Sequence, residues 1–168
     1  MKLMKPIIVL TLICVISSAL LGLTYERTKD IIAAAELQAT NDAMAEVLPG
    51  SSGDFEQLDA GMENILMAAK DNGGAGYVFQ IEDTGYGGAY VVMIGMDNDG
   101  KITGAKLLEH SETPGLGAKT ESADFTGQFV GRDKNSLDGI ETISGATISS
   151  TAFIRCVEAA CQAFDAVQ

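Results

Sequence analysis

The sequence predicts an α+β protein carried on one N-terminal transmembrane helix, and three observations predict it. From Pro6 to Tyr25 ("PIIVLTLICVISSALLGLTY") no side chain is charged. Between Tyr77 and His110, β-branched and aromatic runs alternate with Asp-Gly turn chemistry. From Ile148 to Val167, apolar residues recur at helical spacing. With 168 residues, 46% of them hydrophobic, the chain can build one ordinary core.

As a helix, the charge-free run would span about 30 Å, the thickness of a bilayer's hydrocarbon core. It is long for the apolar region of a cleaved signal peptide, and no small-x-small cleavage site follows it cleanly. Lys2 and Lys5 precede the span, whereas Glu26, Arg27, Lys29 and Asp30 behind it cancel. That asymmetry keeps the N-terminus in the cytoplasm and turns the rest of the chain outward. Cys14 reads as a small packing or lipid-facing residue.

Next comes "ERTKDIIAAAELQATNDAMAEVLPG", rich in Ala, Glu and Leu, so a helix continues beyond the span until Pro49-Gly50 stops it. "ENILMAAKDNGGAG" suggests another helical turn or two and a glycine-rich connection. Three antiparallel strands are then expected, separated at Asp83-Thr84-Gly85 and Asp97-Asn98-Asp99-Gly100. "TESADFTGQFVG" reads as a short helix. In the last helix, Phe153, Val157, Ala160 and Phe164 share a face. Cys156 and Cys161 within it stand about 8.6 Å apart by helix geometry, too far for a disulfide, and read as core thiols. The expected division is 1–25 tail and transmembrane helix, 26–75 helical connector and 76–168 ligand-binding domain.

A net charge of −12 with no basic cluster argues against nucleic acid. One histidine and three scattered cysteines cannot furnish a zinc, iron–sulfur or bis-histidine haem site, so no metal ligand is assigned and any redox centre must be organic. Two stretches hold more special residues than a core requires. In "HSETPGLGAK", glycines could bring the backbone close to a planar ligand while Glu112 and Thr113 add polar contacts, although an ordinary surface loop has the same composition. In "ETISGATISSTAF", a turn delivers Ser144, Gly145, Ala146 and Thr147 to a helix start, where free N–H groups and hydroxyls suit a phosphate. A plain N-cap by Ser144 or Thr147 is the simpler alternative. No lysine follows the glycine as a P-loop needs, and no G-x-S-x-G elbow accompanies Ser144 and His110 as a hydrolase needs.

"SGATISS" and "ETPGLG", preceded by "GYGGAYVVMIGMDNDGKITGAKLLEH" and the anchor, resemble the FMN-binding domain family. Within it, the chain is similar to the G subunits of the ion-translocating Rnf complexes. The C subunits of sodium-pumping NADH:quinone oxidoreductase share the motif but usually carry a longer region after the anchor. The resemblance implies one FMN per chain, joined through its phosphate to the last residue of S-G-A-T, Thr147, by a separate flavin transferase. It places Ser144, Gly145, Ala146, Ser149, Ser150, Glu112, Thr113, Leu116 and Gly117 around the flavin. It implies a cell-membrane electron relay among other Rnf subunits, with no catalytic residue of its own. The transferase's usual Asp three residues before the serine is Glu141 here. A stand-alone anchored FMN reductase and a non-redox binding module are the rival functions.

Overall fold

The computed structural model describes residues 4–168. The described residues divide into two compact units, one ending at Thr40 and the other Asn41–Gln168. A single helix, α1, runs Met4–Val47, so the apolar segment and the Ala/Glu-rich segment are one continuous element of 44 residues. Its Lys5–Val47 stretch is long and apolar enough to cross a membrane. Leu48 closes the last turn onto the Met44 carbonyl at 3.0 Å, and Pro49, which has no N–H, ends it.

In the second unit, five strands form an antiparallel meander in sequence order: β1 Phe55–Leu58, β2 Ile65–Asp71, β3 Tyr77–Thr84, β4 Ala89–Met96 and β5 Ile102–His110. The three expected strands are β3 to β5. Two more precede them, so residues 55–71 belong to the sheet and not to a helical connector. "ILMAAKD" is a strand although its alanines favour helix, because Ala68 and Ala69 pair with Phe79 and Val78 and are buried on opposite faces. Asp71 ends β2 by accepting from the Ser52 hydroxyl at 2.6 Å, the Ser52 N–H at 2.8 Å and the Ala75 N–H at 2.9 Å. The Ser52 hydroxyl, with the backbone N–H donors, holds this carboxyl below its ordinary pKa.

On one sheet face, Phe79, Ile81, Tyr90, Val92 and Ile94 meet α3, Thr147–Val167, through Phe153, Val157 and Ala160. Phe125 of the one-turn α2, Ala123–Thr126, joins them, as does Phe129. Phe153 is the hub, with its ring centroid 5.4 Å from Phe125, 5.2 Å from Phe129 and 6.4 Å from Tyr90. The other face buries Val78 and Met93 beneath Ala43, Met44, Val47 and Leu48, at and just beyond the end of α1. Gly95 and Gly104 are register partners on β4 and β5 and make a notch there. A Cβ at Gly95 would lie 2.1 Å from the Val47 carbonyl oxygen, and one at Gly104 2.8 Å from the Val47 Cα. Thr103 secures the same carbonyl with a 2.6 Å hydrogen bond. Being covered on both faces explains why β4 reads as a continuous apolar run and not an alternating one.

Candidate functional site

Three segments of the second unit converge beside the start of α3. The first is the turn before it. Gly145 bends the chain at φ 82, the Ala146 N–H closes onto the Ile143 carbonyl at 2.9 Å, and Thr147 opens the helix. The N-cap residue is Ala146, and no side chain caps the helix. The plain N-cap reading of Ser144 or Thr147 therefore fails, and the first-turn N–H groups, which have no intrahelical acceptor, have no side-chain cap. Thr147 is exposed and Ser149 buried.

The second segment is the loop after β5. Glu112 is only 6% exposed, and both its oxygens accept hydrogen bonds: Oε1 from the Gly87 N–H at 3.2 Å and Oε2 from the Ser149 hydroxyl at 2.8 Å. Its own N–H donates to His110 Nδ1 at 3.0 Å, while His110 Nε2 pairs with Glu121. One carboxylate thus ties the loop to α3 and to the β3–β4 hairpin. The hairpin, Gly85 to Gly88, is the third segment, and it carries Tyr86, 71% exposed. A Cβ at Gly117 would stand 2.1 Å from Glu112 Oε2, and one at Gly85 2.2 Å from Oε1. At the glycine at 117, expected from sequence to admit a ligand, an added Cβ would meet the Glu112 carboxylate and the Ser149 hydroxyl first.

Between these segments lies a cavity of about 500 Å³. The hairpin contributes Tyr86; the loop contributes Glu112, Thr113, Leu116 and Gly117; the start of α3 contributes Gly145 through Ser149. The structure brings eight of the ten sequence-nominated residues to this cavity. Ser144 is not among its lining residues. Nor is Ser150, whose buried hydroxyl donates to the Ala146 carbonyl at 2.9 Å and accepts from the Ile143 N–H at 3.0 Å, bracing the turn from behind. Glu141 is exposed, and its backbone is held on both sides by the Gln128 amide, at 2.8 Å and 3.2 Å.

Sequence reasoning missed Tyr86, although an aromatic set among three glycines of a hairpin was a visible signal. It also missed Arg155, whose Nε donates to Asp83 at 2.6 Å and whose Nη2 donates to the Thr84 carbonyl at 3.2 Å. That pair pins the end of β3, and with it the hairpin, to α3. Burial would raise the Asp83 pKa, but the Arg155 hydrogen bond, the Thr84 N–H and the guanidinium charge outweigh it and hold it below its ordinary value.

A concave site with exposed apolar walls at Tyr86, Leu116 and Ile148 and an uncapped helix N-terminus on one side has the features of one class of protein, a domain suited to an aromatic ligand that ends in phosphate. Residues 85–162 match the FMN-binding domain family, and residues 7–47 match the N-terminal region of RnfG. The G subunit of the proton-translocating ferredoxin:NAD(+) oxidoreductase complex of Clostridium ljungdahlii is 34% identical over 90% of this chain and 85% of its own. The G subunit of the ion-translocating oxidoreductase complex of Methanosarcina acetivorans is 34% identical over 93% of this chain and 91% of its own. The corresponding subunit of the Na(+)-translocating ferredoxin:NAD(+) oxidoreductase complex of Acetobacterium woodii is 32% identical over 86% and 83%. The chain belongs to the family of G subunits of ion-translocating, Rnf-type oxidoreductase complexes.

The cavity fits FMN on its own geometry. Its volume falls within the range of about 300–1,000 Å³ typical of small-molecule sites. The N-terminal end of α3 offers N–H groups and a favourable dipole to a phosphate. Tyr86, Leu116 and Ile148 offer apolar surface to a ring.

Proposed function

We propose that this chain is an electron-relay subunit of an ion-translocating ferredoxin:NAD oxidoreductase, anchored in the membrane by α1 and carrying one FMN as a phosphoester on Thr147. FMN, when bound, exchanges one or two electrons and so links centres of either kind. The chain's own residues bind, orient and tune it. The observation that carries the reading is the position of Thr147: an exposed hydroxyl on the first residue of α3, at a helix start without a side-chain cap, inside the cavity. The uncapped first turn would accept the phosphate charge. Tyr86, Leu116 and Ile148 would bound the ring, while Glu112 and Ser149 brace the wall between loop and helix. Electrons would pass to and from other subunits of the complex, and a flavin transferase would attach the cofactor. Lys2 and Lys5 before the span support a cytoplasmic N-terminus and a flavin domain on the outer side.

The test is Thr147→Ala in chain coexpressed with a flavin transferase, read by flavin fluorescence on denaturing gels and by intact mass. The wild-type band should fluoresce and the variant band should not, with the fold intact, because an exposed side chain with no capping bond contributes within about 0.5 kcal/mol. A variant band at wild-type intensity would place the ester on another hydroxyl, with Ser149, Ser150 and Thr151 the neighbours to map.

A further inference from the structure

We propose that Glu112 is a fixed negative charge that lowers the reduction potential of the flavin in this cavity; the inference rests on the flavin reading above. Three observations support it. Glu112 is only 6% exposed, yet it lines the cavity. Both its oxygens accept hydrogen bonds, from Gly87 and Ser149, which is the pattern of a held carboxylate. It cannot swing away: Gly85 and Gly117 close on its two oxygens, and His110 Nδ1 holds its backbone N–H.

A buried carboxylate with few donors interacts strongly with charge that arrives nearby, because little water remains to screen it. An added electron on a neighbouring ring is disfavoured, so the potential falls. The Ser149 hydroxyl works the other way. It points the positive end of its dipole at Oε2 and partly offsets the charge, and it sits on the first turn of α3 beside Thr147, where the phosphate would lie. The cavity therefore combines a helix terminus suited to the phosphate with a carboxylate that opposes reduction of the ring. A relay that must hand electrons onward gains from a lowered potential.

The experiment is spectroelectrochemical titration of the purified, flavin-carrying full chain in detergent, at one pH, for wild type, Glu112→Gln and Ser149→Ala. Gln keeps the shape and can still accept from Gly87 while donating to Ser149, so it removes charge with little change in packing. Glu112→Gln should shift the midpoint potential to more positive values. Ser149→Ala strips a donor from the carboxylate and should shift it to more negative values. Opposite shifts are what a charge produces and a merely structural role does not. Unchanged potentials, or shifts of the same sign, would overturn the inference while wild-type flavin fluorescence leaves the flavin reading standing. If Glu112→Gln fails to retain flavin, the sign for Ser149→Ala decides alone; loss of flavin from both variants would overturn the inference in favour of a role in attachment. A wild-type chain without flavin would overturn both readings.

Discussion

At Gly117, one methyl group is enough to disturb the site. Its Cβ would stand 2.1 Å from Glu112 Oε2 and 2.7 Å from the Ser149 hydroxyl, so Gly117→Ala must push the carboxylate off its partner. Overpacking of this kind costs about 1–3 kcal/mol. We expect a lower unfolding midpoint in a thermal melt and less flavin per chain on fluorescent gels; a variant equal to wild type in both would return Gly117 to the role of a plain loop residue. The buried thiols make a second residue-scale case. Burial pushes Cys156 up to about 12 and Cys161 up to about 11, so neither supplies much thiolate near neutral pH. Iodoacetamide at about pH 8, near the ordinary thiol pKa, should leave both unmodified in the native chain and alkylate both after denaturation, as read by peptide mass. Thr147 could be singled out from sequence because its motif is contiguous. Glu112 could be nominated but not explained, because its partners Gly87 and Ser149 lie 25 and 37 positions away and only the fold brings them together.

Elements were legible where the local pattern and the tertiary environment agree. β4 is apolar throughout because both its faces are covered, and α3 keeps its apolar face at helical spacing against the sheet. β1 and β2 were not legible. β1 is four residues at a sheet edge, and β2 contains two alanines that strand pairing, not propensity, holds extended. Phe153 at the hub of α3 sets the scale of core packing: Phe153→Ala should cost about 3–5 kcal/mol by chemical denaturation. The Arg155–Asp83 clamp adds a pH dependence. Because Asp83 titrates lower in the fold than in the unfolded chain, its stabilisation is complete above the ordinary carboxylate range near about pH 4 and disappears as pH falls through the folded value. Asp83→Asn should remove that acid-side slope and leave the neutral-pH melt of the rest of the fold little changed, since the pair is partly exposed.

At the scale of the whole molecule, the charges flanking the span predict a topology. The first 25 residues carry Lys2 and Lys5 and no acidic side chain, yet the chain as a whole carries −12. The apolar stretch of α1 is long enough to span a bilayer, and short basic flanks are retained on the cytoplasmic side. Behind the span Glu26 and Asp30 offset Arg27 and Lys29, with Lys29 paired to Glu26 at 3.0 Å, which leaves Lys2 and Lys5 as the net positive flank. We expect the domain behind the span to lie on the outer side, because only the N-terminal flank carries a net positive charge. A reporter fused after Gln168 that is active only outside the cytoplasm should be active, and one active only inside should be silent. Lys2→Glu with Lys5→Glu removes that positive flank and should yield a mixed population, seen as partial activity of both reporters. A wild-type fusion active inside the cytoplasm would reverse the orientation, and recovery of a soluble chain cleaved behind Tyr25 would replace the anchor with a signal peptide.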